Sequence, residues 1–158
     1  METGRLVEVD RPARSFEDFS VGESFVARPV AVSEEAILDF AQRYDPQIFH
    51  TDPKQARETI FGGLISSGWQ VMSETFARAI VDGFLSGGAN CRDVTDVRWL
   101  KPVRPGDQIH LRLTVVSVAQ ASANAGHGNV TFEASAINQS GDAVMTYLLH
   151  QQIARNAR

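Results

Sequence analysis

The sequence has one cysteine, no basic excess and no long apolar run, and each absence removes a class of protein. Cys91 alone cannot form an intrachain disulfide or a Cys-x-x-Cys metal site, which favours a reducing, cytoplasmic compartment. The formal net charge of −4 argues against nucleic acid or an anionic membrane as the main partner, because both select basic surfaces. No apolar run approaches the roughly 20 residues of a membrane span, and the first residues lack the apolar core of a signal peptide.

The composition is typical of one globular domain. Of the 158 residues, 43% are hydrophobic and 22% are charged, which is close to globular averages. A chain of this length is able to bury one substantial core. Residues 1–15 are polar and contain a proline, so we expect a loose N-terminal arm before a domain that covers 16–158.

The first part of this domain combines a strand with helical spacing. A strand is predicted near 23–32, and Ser33 then caps an amphipathic helix over 34–43. Pro46 ends that helix, because the residue before a proline disfavours helical geometry. The stretch 44–52, YDPQIFHTD, is typical of neither a helix nor a strand.

A long helix and a run of strands follow. The helix is predicted over 66–85, with an apolar stripe that suggests burial: Trp69, Met72, Phe76, Ala79, Ile80 and Phe84. The hydrophobic period then changes from 3.6 to 2, which predicts half-buried antiparallel strands over 109–115 and 130–136. Two further strands are predicted near 94–101 and 143–153. A buried helix followed by consecutive strands predicts an α+β fold in which a curled sheet covers the helix.

Two titratable residues stand out in the stretch 44–52, namely Asp45 and His50. A helix would separate side chains five residues apart by about 140°, whereas a short irregular loop is able to direct both to one place. Each residue also has a plain structural interpretation. Asp45 fits a turn before Pro46, and His50 fits a hydrogen-bonded core histidine.

Three segments together resemble a known family. They are Asp45-x4-His50 followed by Thr51-Asp52, then FGGLISSGW at the start of the long helix, and RWLKPVRPGD before the strands. This combination resembles the MaoC-like dehydratases, relatives of the (R)-specific enoyl-CoA hydratases, over roughly residues 16–154. The resemblance implies a single hotdog domain, in which a curved antiparallel sheet wraps a long central helix. It also implies a hydro-lyase that hydrates a trans-2-enoyl-CoA or dehydrates a 3-hydroxyacyl-CoA.

The resemblance assigns roles to individual residues. It implies that Asp45 and His50 are the catalytic acid/base pair and that the backbone N–H of Gly68 faces the thioester oxygen. A helix N-terminus suits that role, since its first N–H groups lack partners and favour an anion. We expect these residues to bind the substrate: Gln47, Ile48, Phe49, Ser67, Trp69 and Phe76, with Arg98 and Lys101 near the coenzyme A phosphates.

The chain departs from the usual family pattern at the pocket wall. Family members typically carry Asn and Pro where this chain has Gln47 and Ile48, and often His where it has Ser67. Some carry a serine where Phe76 stands. The bulk of four side chains predicts short or branched acyl groups over long ones: Ile48, Phe49, Trp69 and Phe76.

The chemistry implied by the resemblance needs no metal or redox cofactor, because coenzyme A is part of the substrate. The partner is an acyl-CoA or acyl-carrier-protein thioester, and the resemblance implies a homodimer, with higher assembly left open. Two other functions stay open: a hotdog thioesterase that uses Glu74 or Asp45 to activate water, and a non-catalytic acyl-binding subunit. Structural alternatives also remain for three of the site residues. Gly68 fits a glycine that only starts the helix, and Arg98 and Lys101 fit side chains that are only solvated.

Overall fold

The computed structural model describes residues 14–85, 89–122 and 125–156, and there the chain forms an antiparallel sheet with one long helix against it. After a short 3-10 turn at Phe16–Asp18, the elements are β1 (Ser24–Val26), β2 (Val30–Ala31), α1 (Glu34–Tyr44), α2 (Ile48–Thr51), α3 (Pro53–Ala56), α4 (Gly68–Val81), β3 (Asn90–Trp99), β4 (Gln108–Gln120), β5 (His127–Ile137) and β6 (Ala143–Ala154). The predicted α+β order, with a long helix followed by four strands, is confirmed.

The sheet has the strand order β1-β4-β5-β6-β3, and β2 also pairs with β4. All of these pairs are antiparallel. The alternation predicted for 109–115 and 130–136 is confirmed in β4 and β5, since one face is buried in the core: Ile109, Leu111, Leu113, Val130, Phe132 and Ala134. Helix α4 buries Val71, Thr75 and Ala79, so the core lies between this helix and the inner face of the sheet.

The strand predicted over 23–32 is wrong in its continuity, because the structure has two short strands there. Pro29 has no N–H to donate to a ladder, and regular pairing with β4 resumes at Val30. In the gap, the guanidinium of Arg28 lies 2.7 Å from a carboxylate oxygen of Asp82. This ion pair links the segment between β1 and β2 to Asp82, the residue that follows α4.

Helix α4 is shorter than the predicted 66–85. It begins at Gly68 because Ser67 is its N-cap, and the side chain of Ser67 accepts a backbone hydrogen bond there. The helix ends at Val81, and Gly83 has a φ of +84°. Glycine adopts this left-handed conformation without the steric cost that other residues incur, which explains why the helix stops here.

Most of the predicted N-terminal arm, residues 1–15, lies outside the described residues. Of its described residues, Arg14 packs on the domain, with its guanidinium 4.5 Å from the ring centre of Phe19 and 4.4 Å from that of Phe25. Across the described ranges, no helix is long and apolar enough to cross a membrane.

Among the described residues, strand β3 forms one edge of the sheet, since it pairs with β6 on one side only. Every residue of β3 is exposed except Val97, which is half-buried. The exposed side chains include Val94 and Trp99. A ten-residue edge of this kind leaves backbone N–H and C=O groups open to pairing.

Candidate active site

Asp45 and His50 are brought together by two helices rather than by the predicted irregular loop. Asp45 is the C-cap of α1, which ends before Pro46 as predicted. The following stretch, predicted to be neither helix nor strand, contains the one-turn helix α2, whose N-cap is Gln47. Asp45 precedes α2 and His50 lies within it, so the two residues do not belong to one helix. The separation of about 140° expected in a single helix therefore does not apply, and the two side chains converge.

The two side chains form a close pair, with Nε2 of His50 3.3 Å from Oδ2 of Asp45. His50 is buried, and its Nδ1 lies 2.8 Å from the backbone carbonyl oxygen of Ile65. A carbonyl oxygen only accepts hydrogen bonds, so Nδ1 carries the hydrogen and Nε2 is the nitrogen free to exchange a proton. The N–H of Ile65 donates to the carbonyl of Phe49 at 3.0 Å, which fixes the segment that orients the imidazole.

Neighbouring donors hold the Asp45 carboxylate in its charged form. The hydroxyl of Ser67 donates to Oδ2 at 2.7 Å, and the amide of Gln47 donates to Oδ1 at 2.8 Å. Burial acts to raise the pKa of Asp45, but the hydrogen bonds from Gln47 and Ser67 and the attraction of His50 outweigh burial and lower this pKa. Asp45 is therefore a carboxylate near neutral pH.

Asp45, His50 and Gly68 line one cavity of about 450 Å³. The cavity is polar at the carboxylate, the imidazole and the N-terminus of α4, and largely apolar elsewhere. A concave apolar pocket with a few convergent polar groups is the usual form of a small-molecule site.

The residues predicted to bind substrate divide into two groups. Four of them line the cavity: Gln47, Phe49, Trp69 and Lys101. The other four lie outside its lining, since Ile48 and Arg98 are exposed, Phe76 packs against the core and Ser67 is fully buried beside Asp45. Trp69, predicted on a buried stripe, is 54% exposed. Their roles in binding stay predictions.

Part of the cavity wall was missed in the sequence. Trp99 and Leu100 come from the end of β3 and the residue after it, Val144 and Met145 from β6, and Phe61 from the loop before α4. Trp99 had a signal, because it is an aromatic residue inside the RWLKPVRPGD segment. Val144 and Met145 had no such signal, because apolar residues of this kind occur in any strand that packs in a core.

Gly68 makes a contact that excludes a side chain. A Cβ atom built at this position would lie 1.8 Å from Nε1 of Trp99 and 2.3 Å from its Cδ1. The five-membered ring of the indole therefore lies directly against Gly68, and glycine is the residue that leaves room for it. As the first residue of α4, Gly68 also has an N–H with no partner inside the helix.

The other histidines lie apart from this cavity. His110 is on β4, and His127 is the first residue of β5. His150 on β6 is hydrogen-bonded between the hydroxyls of Thr95 and Thr131, at 3.0 and 3.1 Å. Over the described residues, no group of three or more His, Cys, Asp or Glu side chains is placed to hold a metal ion.

Comparison with known proteins assigns the family. The model of the MaoC-like domain matches residues 18–137, which is most of the chain. The protein therefore belongs to the MaoC-like domain family. The resemblance inferred from the sequence is confirmed.

Individual relatives agree with this assignment. The chain is 31% identical over 103 residues to the uncharacterized protein YdeM of Bacillus subtilis (strain 168), covering 65% of this chain and 71% of that protein. It is 29% identical over 138 residues to the mesaconyl-CoA hydratase of Cereibacter sphaeroides, covering 85% of this chain but 39% of that protein. The crystal structure of the MaoC-like dehydratase from Rhodospirillum rubrum superposes with a TM-score of 0.83 at 29% identity, covering 92% of this chain and 100% of that chain. The predicted hotdog fold is thereby confirmed.

The charged state of Asp45 gives a test of this geometry. Replacing Ser67 with Ala should raise the pKa of Asp45, because burial then acts against fewer hydrogen bonds. A group with a lowered pKa stabilises the folded state above its unfolded pKa, and this contribution is lost as the pH falls through the folded pKa. The variant should therefore lose less stability on acidification. NMR titration of the Asp45 carboxyl carbon measures the pKa directly.

Ser67→Thr is the matched control, since it keeps the hydroxyl and should leave the pKa of Asp45 low. Loss of the N-cap in Ser67→Ala should also cost about 1 kcal/mol of stability at every pH. The pKa is consequently the measurement that decides. An unchanged pKa in Ser67→Ala would contradict the role assigned to this hydroxyl.

Proposed function

We propose that the protein is a hydro-lyase that adds water to a trans-2-enoyl thioester, or removes it from a 3-hydroxyacyl thioester, with Asp45 and His50 as the acid/base pair. Membership of the MaoC-like family supports a hydratase or dehydratase role in general, and one relative is named mesaconyl-CoA hydratase. The observation that best supports the proposal is the Asp45–His50 pair in one cavity with Gly68 at a helix N-terminus.

In the hydration direction, the oxygen of water bonds to the β-carbon while one of its hydrogens passes to Nε2 of His50. The ionised Asp45, 3.3 Å away, stabilises the imidazolium that forms. The pair then returns one proton to the α-carbon, so its own charge is restored. Positioned acid/base groups of this kind typically contribute about 10²–10⁴-fold to the rate. No residue of this scheme requires a metal or redox cofactor.

Negative charge develops on the thioester oxygen as water attacks. Gly68 is suited to bind this oxygen, because its N–H has no helical partner and lies at the positive end of α4. A preorganised donor of this kind is typically worth about 10²–10³ in kcat.

Lys101 lines the same cavity, and Lys101 pairs with Asp142 at 3.0 Å. Its ammonium is the cavity cation suited to the phosphates of coenzyme A or an acyl carrier protein.

The position of Glu74 argues against the thioesterase alternative in which Glu74 activates water. This carboxylate accepts a hydrogen bond from Gln70 at 3.0 Å, and it lies outside the lining of the cavity. Asp45 remains as the carboxylate of a thioesterase, and a non-catalytic acyl-binding subunit also remains open. Free thiol release marks the first of these, and ligand binding without turnover marks the second.

Substitution of the pair tests the proposed chemistry. Asp45→Asn and His50→Gln should each lower the hydration rate by at least about 10²-fold, because each removes one acid/base partner. The assay follows the loss of ultraviolet absorbance of an enoyl-CoA, with free thiol measured in parallel. The matched controls are Asp39→Asn, on the exposed face of α1, and His110→Gln, on β4.

Full activity in either site variant would contradict the proposed mechanism. Thiol release that keeps pace with the absorbance loss would instead establish a thioesterase. The controls should keep the rate of the unaltered protein, since neither residue lines the cavity.

The size of the acyl group is a second point of the proposal. Phe49 and Trp69 narrow the cavity, and the buried residues Val144 and Met145 limit it at β6. Four-carbon enoyl thioesters should therefore react with a kcat/KM at least about tenfold above that of twelve-carbon ones, given the cost of fitting extra methylenes into a cavity of about 450 Å³. A chain-length panel in the absorbance assay measures this. Equal values for the two lengths would reject the size limit.

We further propose a homodimer that covers the exposed edge at β3. The edge strand exposes nine of its ten residues, and long exposed edges are normally paired or covered. A two-fold axis beside β3 would pair this strand with β3 of a second copy of the chain. The cavity lies close to that edge, because Trp99 belongs to both.

A matched pair of valines tests the dimer. Val94 lies on the edge strand β3 and is 37% exposed, whereas Val116 lies on the interior strand β4 and is 42% exposed. Light scattering should give twice the chain mass for the unaltered protein and for Val116→Lys. Val94→Lys should shift the protein towards monomer, because a charge on an edge opposes pairing. A monomeric unaltered protein would contradict the proposal.

A further inference from the structure

We propose that Trp99 is a second hydrogen-bond donor to the thioester oxygen, acting beside Gly68 through its indole N–H. This inference rests on the function proposed above and adds to it a catalytic residue from a different part of the chain. The indole of Trp99 lies against the N-terminus of α4, where it is able both to fill space and to donate a hydrogen bond.

The position of the indole is the first argument. Of the atoms near Gly68, Nε1 of Trp99 comes closest to the place of an absent Cβ, at 1.8 Å. In a helix the Cα–Cβ direction tilts towards the N-terminus, which is also where the N–H of a first residue points. Nε1 of Trp99 therefore lies against the first residue of α4, and both residues line the same cavity.

Both donors are unused by the protein. In the part of the chain that the structure describes, neither Nε1 of Trp99 nor the N–H of Gly68 donates to a protein acceptor. An indole N–H is a donor only, and the side chain of Trp99 is 51% exposed, so its N–H is open to a ligand that enters the cavity. Two unpaired N–H groups at one end of a cavity fit a ligand oxygen, which has two lone pairs to accept them.

The indole is held in place before any ligand arrives. Trp99 stands opposite Met145 in the β3–β6 ladder, and the next residue, Leu100, donates its N–H to the carbonyl of Val144 at 2.8 Å. The ring also packs edge-on against Trp69, with centroids 5.3 Å apart and planes at 72°. Fixed donors stabilise a developing negative charge without the cost of reorganising during the reaction.

The first experiment observes the indole proton itself. The chain has two tryptophans, so its ¹H–¹⁵N spectrum should show two indole signals, and Trp69→Phe assigns them. Butyryl-CoA serves as the probe, because its saturated acyl group is not hydrated, and coenzyme A lacking the acyl group is the control. Butyryl-CoA should move the Trp99 indole proton downfield, and coenzyme A should not. A Trp99 signal that butyryl-CoA leaves in place overturns the inference.

The second experiment separates the N–H from the shape of the ring. Benzothienylalanine at position 99 keeps the bicyclic shape but replaces N–H by sulfur, and Trp99→Phe removes both. Each should lower kcat by roughly 10²-fold, as expected for one oxyanion donor, with KM nearly unchanged. A structural role would instead leave the benzothienyl protein active and impair only the Phe variant.

Failure of this inference is distinguishable from failure of the proposed function. If the benzothienyl protein turns over enoyl-CoA at the unaltered rate, Trp99 is not a donor and the hydro-lyase proposal stands. If the unaltered protein hydrates no enoyl thioester of the panel, the proposed function fails and this inference fails with it.

Discussion

The geometry of the site depends on one buried hydroxyl, that of Ser67. It donates to the carboxylate of Asp45 at 2.7 Å and accepts the backbone N–H of Trp69 at 3.2 Å. A fully buried hydroxyl needs its partners, so these two bonds fix the end of α1 relative to the start of α4. His50 is then placed through Asp45, and Gly68 is placed as the neighbour of Ser67. Ser67 thus positions the carboxylate and the helix N-terminus, while the carbonyl of Ile65 orients the imidazole.

The same hydrogen bonds decide how the pair divides its work. A carboxylate that accepts from Ser67 and Gln47 is kept ionised by those donors, and a lowered pKa makes it a weaker base. In the proposed mechanism, proton exchange therefore falls to Nε2 of His50, because the other nitrogen is hydrogen-bonded to the carbonyl of Ile65. Asp45 would then supply charge and orientation to the imidazole.

The sequence predicted the parts of this arrangement that depend on local chemistry. The N-cap at Ser33, the stop before Pro46 and the alternation of β4 and β5 follow from neighbouring residues, and all were confirmed. The pairing of Asp45 with His50 was expected from a loop, but α2 provides it. Trp99 and Met145 as cavity walls were not predicted, because their position depends on the pairing of β3 with β6. Helical spacing likewise did not reveal that Trp69 faces the cavity while Phe76 faces the core.

The strand order has a consequence for how the molecule is assembled. Of the described strands, β3 pairs with β6 alone, although β4 and β5 lie between them in the chain. During synthesis β3 therefore has no strand to pair with until β6 emerges, and Trp99 and Leu100 pair at the beginning of that strand, with Met145 and Val144. Contacts between distant segments close late and slowly, since the intervening loop must first be ordered. The part of the cavity wall that β3 and β6 form is therefore made last along the chain, after Asp45, His50 and Gly68.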